Sequence, residues 1–396
     1  MASPPIDFPS SNNTVDVRLV DTTAVLTARA ESFIEPVQEG HEVLNITCAA
    51  FLIHHESSGK RIMFDLGVRK DYWNLSATIQ KRLGTVIPSL RVNRDSTEVL
   101  TEKGVPLDSI SSVVWSHYHW DHTGNMSLFS PSTELIVGPG FKASPQLLPG
   151  FPEKPDSPVC SSDFKGRSLR EVDFKDSDLQ IGGFAAYDFF GDGSFYLLNT
   201  PGHCLGHMCG LARTTPGDES TFLLLGGDIC HFAGDIRPNA SYPLPDEIPA
   251  SVLDHDPDYF PVPCPCSFFT AHHPVLSREG RNDGRRTTPF FKVSTHPKSS
   301  YVDPPTAQKS VDKLIDFESC PRVFVCLAHD PTLFQYLPTL NEDPESTLND
   351  WQSQGWKDKC RWDWLNELPR NGRQGRKPIV EGFWRDGKPW DRPAAG

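Results

Sequence analysis

The stretch SHYHWDHTGN, residues 116–125, places three histidines and an aspartate within six positions: His117, His119, Asp121 and His122. It follows an apolar, β-branched run at residues 110–115, which predicts a buried strand, so the cluster is expected where that strand ends. Imidazole nitrogens and carboxylate oxygens are the ligands of catalytic Zn²⁺, and Mn²⁺, Fe and Co accept the same set. This density of donors therefore predicts a metal site rather than a polar loop with chance histidines.

Apolar runs that end in a histidine or an aspartate recur along the chain. They lead from residues 62–64 to Asp65, from 195–198 to His203, from 222–225 to Asp228 and from 323–327 to His329. Because α/β folds place their chemistry at the ends of strands, these residues are candidates for a functional site.

The composition narrows the kind of partner. The chain has 396 residues and a formal charge of −13, with Lys+Arg 38 against Asp+Glu 51. Nucleic acids and anionic membranes bind basic surfaces, so neither is expected as a partner. The sequence has no signal peptide pattern and no apolar run of membrane-spanning length, and its ten spread-out cysteines are expected to be reduced. These features predict a cytoplasmic protein that acts on a small molecule, and they leave the oligomeric state open.

The domain organisation is predicted from shifts in composition. Residues 1–14 are rich in Pro, Ser and Asn and are expected to be flexible, whereas residues 15–340 are expected to form one domain. Within it, residues 236–306 form a Pro-rich insertion that is too long for a simple connection and is expected to act as a cap or binding loop. Residues 341–396 hold six of the nine tryptophans, so this C-terminal extension is expected to pack on the domain.

With its HxHxDH motif, the chain resembles the metallo-β-lactamase superfamily. The later motifs of that family are also present, as TPGHCLGH at residues 200–207, GGD at 226–228 and AHD at 328–330, and FDLG at 64–67 resembles its early aspartate motif. The resemblance runs from about residue 15 to 340. It implies an α/β fold of four layers, the αβ/βα sandwich, with a dinuclear metal site at one edge.

The resemblance also implies the ligands, residue by residue. The first divalent metal ion, expected to be Zn²⁺ like the second, would be held by His117, His119 and His203. The second would be held by Asp121, His122 and His329, and Asp228 would bridge the two. Asp65 and His207 are expected to orient the ligands, and Asp121 and Asp228 to take part in catalysis. Two such ions activate a water and polarise a carbonyl, so no nucleophilic serine or cysteine is required.

Three further residues are candidates for the substrate pocket: Tyr118, Trp120 and His231. Each has an ordinary alternative, because aromatic residues at strand ends often serve core packing and an isolated histidine is often a structural hydrogen-bonding residue. The cysteines near the motifs are expected to be small buried apolar residues, and His272 and His273 are expected at the surface or in a lid.

The context of the motif is most similar to the N-acyl homoserine lactonase branch of the superfamily and its fungal relatives. That similarity predicts the opening of a cyclic ester. A cyclic amide or carbamate, such as a lactam or a benzoxazolinone-type compound removed by detoxification, is the first alternative, and a thioester is the next. A metal-binding protein without turnover is the alternative from another class. The insertion and the extension would reshape the pocket relative to an acyl homoserine lactonase.

Overall fold

Two large β-sheets with helices on their outer faces make up the fold in this computed structural model, which describes residues 6–175, 178–254, 259–370 and 372–392. The strands, in chain order, are β1 (Asp16–Arg29), β2 (Ile34–Glu35), β3 (Val43–His55), β4 (Lys60–Phe64), β5 (Ser89–Val92), β6 (Ile110–Val114), β7 (Glu134–Val137), β8 (Leu169–Glu171), β9 (Gln180–Ile181), β10 (Phe184–Asp188), β11 (Phe195–Asn199), β12 (Met208–Arg213), β13 (Phe222–Leu225), β14 (Glu247–Ile248), β15 (Cys264–Pro265), β16 (Lys292–Val293), β17 (Val323–Cys326), β18 (Phe383–Arg385) and β19 (Lys388–Trp390). The helices are α1 (Ala77–Thr85), α2 (Ser96–Glu102), α3 (Trp120–Thr123), α4 (Ser267–Thr270), α5 (Pro274–Arg278), α6 (Pro304–Ser319), α7 (Thr332–Tyr336) and α8 (Trp356–Cys360).

The two sheets differ in size and share a mixed topology. The first has nine strands in the order β19-β18-β5-β1-β3-β4-β6-β7-β8, and the second has six in the order β17-β13-β12-β11-β10-β9. Strands β4, β6, β7 and β8 run parallel to one another, as do β13 and β17. The carboxyl ends of parallel neighbours meet at one edge of a sheet, and the loops that follow β4, β6, β13 and β17 carry the predicted site residues.

Three apolar cores define the layers. Between the sheets, Phe51 and Phe64 of the first pack with Leu197 and Leu223 of the second. Helix α2 covers the outer face of the first sheet, and α6 covers the outer face of the second. Helix α6 begins with Pro304 and is capped by Asp303, whose side chain accepts from the amide of Thr306. Helix, sheet, sheet, helix is the αβ/βα sandwich that the sequence predicted, and the prediction is confirmed.

A fourth core joins the Pro-rich insertion and the C-terminal extension to one end of the first sheet. Leu26 and Ile46 of the sheet pack there with Phe290 of the insertion and Trp364 of the extension. The extension also adds strands β18 and β19 to the edge of the first sheet, where Phe383 pairs with Leu90. Both additions therefore share buried surface with the first sheet.

Residues 6–14 belong to the N-terminal segment that was expected to be flexible, and they lie against the second sheet. Ile6 is buried in the core beneath α6, and the ring of Phe8 stacks on Phe222 with centroids 4.3 Å apart. Residues 1–5 lie outside the described residues. Burial of the apolar side chains of Ile6 and Phe8 explains why residues 6–14 lie along the second sheet despite their polar composition.

Three further expectations concern the cysteines, the helices and His273. All ten cysteines are free. Among the described residues, no helix has both the length and the apolar character needed to cross a membrane. His273, expected at the surface or in a lid, is buried instead, because its ring accepts from the amide of Leu276 at the start of α5.

Candidate metal centre

The predicted ligands come together at the edge where several strands of the two sheets end. His117 follows β6, Asp228 follows β13, and His329 follows β17. His119 precedes the short helix α3, whose single turn carries Asp121 and His122. His203 lies in the loop between β11 and β12.

The carboxylate of Asp228 lies between two groups of imidazoles. Its Oδ2 atom is 3.4 Å from Nε2 of His117 and 3.2 Å from Nε2 of His203. Its Oδ1 atom is 2.8 Å from Nε2 of His122 and 2.9 Å from Nε2 of His329. Asp228 is 2% exposed, so each oxygen meets these nitrogens with almost no access to solvent.

The two remaining predicted ligands belong to the same two groups. Nδ1 of His119 is 2.9 Å from Nε2 of His203, beside Oδ2 of Asp228. A carboxylate oxygen of Asp121 is 3.7 Å from Nε2 of His329, beside Oδ1. His119 and Asp121 are only partly buried, and both line a cavity above the site. Each oxygen of Asp228 therefore faces its own set of donors.

In His329 and His122, the Nδ1 atom hydrogen-bonds to a neighbouring group, which leaves the Nε2 atom that faces Asp228 free to bind a cation. Nδ1 of His329 donates to the carbonyl oxygen of Thr47 at 2.7 Å, and Nδ1 of His122 donates to Asp65 at 2.8 Å. In the neutral rings both Nε2 atoms then carry lone pairs, and they lie 3.3 Å apart. Within the described residues, Nε2 of His117 and Oδ1 of Asp228 have no hydrogen bond. This donor set fits divalent metal ions.

The charges in the site point to the same conclusion. Burial lowers the pKa of His117 and of His119 well below the usual 6.5. Burial also opposes charge on His122 and His329, but Asp228 outweighs it and raises the pKa of both well above 6.5. Burial likewise opposes charge on Asp228, yet His122 and His329 hold its pKa well below 3.8. A buried anion thus requires positive charge around it, which a divalent cation would supply in place of protons.

Asp65 and His207 contact ligands and their neighbours. Asp65 accepts from the amide and the hydroxyl of Ser116, both at 2.7 Å, as well as from His122. Its backbone is left-handed, with φ 61°, a strained conformation that aims the carboxylate from the end of β4. Nε2 of His207 accepts from the amide of Asp228 at 2.9 Å, while its Nδ1 bonds Thr200 at 2.8 Å. Both residues therefore fix the positions of predicted ligands.

Two glycines allow the ligand loops to approach their neighbours. Gly227 has φ 50°, and a Cβ there would lie 2.9 Å from Cβ of Ser116. Gly202 has φ 122°, and a Cβ there would lie 2.1 Å from the backbone nitrogen of Ala307 in the first turn of α6. Only glycine fits the loop of His203 beneath that helix.

A narrow cavity of about 20 Å³ opens onto the site. Its walls include five apolar side chains, Leu26, Phe33, Ile46, Ile87 and Trp120. Arg82 and Ser300 add polar groups, and Nη2 of Arg82 donates to the hydroxyl of Ser300 at 2.9 Å. Arg82 supplies the one Lys or Arg side chain among the described lining residues.

The residues predicted for the pocket have different places. Trp120 and His231 line the cavity. Tyr118 is outside this lining and packs instead against the outer core of the first sheet. Cys204 is buried beside the first group of histidines, and burial raises the pKa of its thiol well above 9. It is therefore a neutral thiol, as expected of a small buried apolar residue.

Sequence reasoning missed four residues of the site: Cys48, Arg82, Ser300 and Tyr301. Cys48 places its sulfur near the donor atoms of Asp121 and His329, all within 4.8 Å of one another. It occupies the middle of β3, where a cysteine is an ordinary core residue. Arg82, Ser300 and Tyr301 lie in segments without a motif, so only the folded chain brings Arg82 and Ser300 to the cavity and Tyr301 to His231.

Comparisons with known proteins agree with this geometry. The family described as the Metallo-beta-lactamase superfamily matches residues 46–279. Gamma-lactamase FDB1 of Fusarium pseudograminearum is 40% identical over 390 residues, which cover 96% of this chain and 90% of that protein. Gamma-lactamase MBL2 of Gibberella moniliformis is 43% identical over 255 residues, which cover 64% of this chain and 100% of that protein.

Solved structures share the fold. The crystal structure of an AiiA mutant from B. thuringiensis, with N-decanoyl-L-homoserine bound at the active site, matches with a TM-score of 0.51 and 14% sequence identity. The match covers 84% of this chain and 99% of that one. On the family match, the two relatives and the fold, the chain belongs to the metallo-beta-lactamase superfamily and is a metal-dependent hydrolase.

Proposed function

We propose that the chain is a cytoplasmic hydrolase that opens a small cyclic amide or cyclic carbamate with two divalent metal ions, expected to be Zn²⁺, and so detoxifies such compounds. The observation that carries the dinuclear part is the carboxylate of Asp228, whose two oxygens face separate groups of imidazoles. The names of the two gamma-lactamase relatives support the cyclic amide. The ten free cysteines fit a reducing compartment.

The side chains divide into two ligand sets. One ion would be held by His117, His119, His203 and Oδ2 of Asp228, and the other by Asp121, His122, His329 and Oδ1 of Asp228. When bound, such a pair of ions supplies a water of lowered pKa and polarises the carbonyl that is attacked. Asp65 and His207 keep His122 and Asp228 in place from behind.

The lining of the cavity supports a small, flat ring as the substrate. Phe33 and Trp120 offer aromatic surface against which a flat ring packs and from which water is excluded. The guanidinium of Arg82, held by Ser300, is positioned to donate to an oxygen of the bound ring.

The departure of the leaving group requires a side chain that supplies a proton. An amide nitrogen leaves only after it gains a proton, and a carboxylate that reaches both water and substrate is able to carry one. Asp121 lines the cavity, and its side chain is 14% exposed, in contrast to the 2% of Asp228. Asp121 is therefore the carboxylate that we assign to proton transfer, and Asp228 keeps its role in holding the ions.

A cyclic ester, the substrate expected from the sequence, is the second candidate. The attack on the carbonyl is the same, and an alkoxide leaves more readily than an amide nitrogen, so the same side chains suffice. The apolar wall of the cavity and the guanidinium of Arg82 suit either kind of ring.

The experiment measures metal content and ring opening together. Metal per chain is determined by plasma mass spectrometry on protein purified without added metal. Hydrolysis of a γ-lactam, a benzoxazolinone, a γ-lactone and a thioester is then followed before chelation, after chelation and after Zn²⁺ is restored. We expect about two metal ions per chain and chelator-sensitive opening of the cyclic amide or carbamate.

Two variants serve as a matched pair. His119→Ala is expected to lose metal and activity together, whereas His272→Ala, at an exposed histidine of the insertion, is expected to keep both. Opening that persists without metal would contradict the metal mechanism. Preference for the lactone or the thioester would contradict the proposed substrate, and bound metal without turnover on any of the four would favour a binding protein.

A further inference from the structure

The end of the Pro-rich insertion reaches the metal centre. The amide of Val302 donates to the carbonyl oxygen of His203 at 2.8 Å, and the amide of Asp303 donates to that of Gly202 at 3.0 Å. These bonds fasten the insertion to the loop that carries a predicted ligand. They also bring Tyr301, which is 3% exposed, against His231, which is 4% exposed.

Hydrogen bonds on both sides of the ring fix the tautomer of His231. The hydroxyl oxygen of Tyr301 lies 2.8 Å from Nδ1 of His231. Since Nε2 lies 3.0 Å from the carboxylate of Asp228, which only accepts, the ring proton is on Nε2 and the O–H of Tyr301 donates to Nδ1. A neutral imidazole that accepts at Nδ1 carries its proton on Nε2.

The other side of the ring meets the carboxylate of Asp228. Nε2 of His231 lies 3.0 Å from Oδ2 of Asp228, so its N–H donates to that oxygen. Oδ2 is the atom that faces His117 and His203. A continuous chain of hydrogen bonds therefore leads from the insertion to the carboxylate that divides the two ligand sets.

We propose that Tyr301 is a positioning residue of the metal centre: through His231 it holds Oδ2 of Asp228 in place and keeps His231 from binding metal itself. Nε2 of His231 lies among donor atoms of His203 and Asp228 that are all within 4.8 Å of one another, so a ring with its proton on Nδ1 would offer a lone pair to the same site. By donating to Nδ1, the hydroxyl of Tyr301 favours the tautomer that keeps the proton on Nε2. The inference rests on the metal centre proposed above and not on the choice of substrate.

The first test removes only the hydroxyl. Tyr301→Phe keeps the ring, and its affinity for Zn²⁺, measured by competition with a chelator, is expected to fall by about 10- to 100-fold. The visible spectrum of the Co²⁺-loaded variant is expected to change, because His231 is then free to add a nitrogen ligand. The matched control is Tyr72→Phe, which removes the hydroxyl of another buried tyrosine, bonded to the carbonyl oxygen of Trp384 and outside the cavity lining. It is expected to keep the affinity and the spectrum of the wild type.

The second test separates the two sides of the His231 ring. In His231→Gln the amide nitrogen reaches about as far from Cβ as Nε2 does, so it still donates to Asp228. In His231→Asn the amide group lies near the position of Nδ1, so it meets Tyr301 and not the carboxylate. We expect the Gln variant to bind Zn²⁺ more tightly than the Asn variant, which a purely structural role for the histidine would not produce.

The outcomes distinguish this inference from the proposed function. Equal Zn²⁺ affinity and unchanged Co²⁺ spectra in Tyr301→Phe, with metal bound to the wild type, would overturn the positioning role alone. A wild-type protein that binds neither ion would overturn both proposals. If Tyr301→Phe does not fold, the order of the Gln and Asn variants decides, and equal affinities in that pair would overturn the inference.

Discussion

Asp65 follows β4, and its strained backbone conformation brings its carboxylate to a predicted ligand, His122. Its left-handed backbone turns the carboxylate toward Ser116 and His122, so the strain has a visible use. Asp65→Asn keeps a residue type that tolerates this backbone, but its amide replaces one of two accepting oxygens. We expect Zn²⁺ affinity to fall by about 10- to 100-fold, measured by chelator competition.

The control for this substitution lies elsewhere in the chain. Asp386 also has a positive φ, 51°, in the exposed turn between β18 and β19. Asp386→Asn is therefore expected to leave Zn²⁺ affinity unchanged. Equal affinities in the two variants would show that Asp65 does not hold His122 in place.

A buried histidine outside the site gives a prediction for pH. His41 is 1% exposed between Phe232 and Phe291, and burial lowers its pKa to about 4. The unfolded chain, with a pKa near 6.5, binds this proton at a higher pH than the folded chain does, so stability falls as the pH drops from 6.5 toward 4. From pH 7.5 to 5 the loss is about 2 kcal/mol. His41→Leu should reduce the pH dependence of the urea-unfolding free energy by this amount, and an unchanged dependence would contradict the assignment.

At the scale of single residues, local motifs predicted much of the site and distant contacts did not. His117, His119, Asp121 and His122 lie in one short stretch, so their convergence is visible in the sequence. Tyr301 meets His231 across 70 residues of chain, and no local pattern marks that contact. Such contacts depend on how the insertion folds back, which periodicity does not describe.

In the loop beneath α6, the packing at Gly202 leaves room for a hydrogen atom but not for a methyl group. Gly202→Ala would place a methyl group 2.1 Å from the backbone of Ala307, so the loop of His203 must move. We expect a loss of about 3 kcal/mol or more in the free energy of unfolding, together with weaker Zn²⁺ binding. Gly217→Ala is the matched control, because its φ is also positive, 86°, but nothing lies within 4 Å of the added Cβ.

The control separates the cost of a left-handed backbone from the cost of the close contact with α6. Gly217→Ala is expected to cost about 1 kcal/mol, from the left-handed conformation alone, and to keep Zn²⁺ affinity. Urea unfolding and chelator competition on both variants make the comparison. Equal losses would mean that the packing of the loop against α6 does not support the ligand.

The elements themselves were predictable where apolar runs were long. The strands β4, β6, β11, β13 and β17 were predicted from apolar runs. Strand β12 was missed, since Gly210 and Arg213 interrupt its pattern, yet all of its residues are buried. Arg213 is buried there because its guanidinium donates to the carbonyl oxygen of Gly193 and lies over the ring of Phe222. A tertiary partner therefore overrides the polarity of the side chain.

At the scale of the whole molecule, the insertion and the extension are built into the sandwich. The first sheet, the insertion and the extension contribute side chains to one buried core. The insertion also supplies Ser300 and Tyr301 to the site, so the shape of the cavity depends on how that core packs. The composition of these segments indicated that they pack, but not against which surface, because Pro-rich and Trp-rich sequences lack a period that assigns a face.

This shared core predicts a single cooperative unfolding transition. Six of the nine tryptophans lie in the extension, so tryptophan fluorescence reports mainly on that segment, whereas far-ultraviolet circular dichroism reports on both sheets. We expect the two signals to change at the same urea concentration. Trp364, 2% exposed and in contact with Phe232 and Phe290, lies where the parts meet. Trp364→Ala should lower the free energy of unfolding by about 3–5 kcal/mol and shift both signals together.

The half-buried Trp384, on β18, supplies the comparison. Its replacement by Ala removes less buried surface, so the loss is expected to be less than half as large, with the two signals still coincident. If fluorescence instead changed at a lower urea concentration than circular dichroism, the extension would unfold on its own. The insertion would then hold Tyr301 in place without the core that it shares with the extension. Zn²⁺ would in that case stay bound after the fluorescence had changed. Coincident loss of both signals and of bound Zn²⁺ is what the packing around Trp364 predicts.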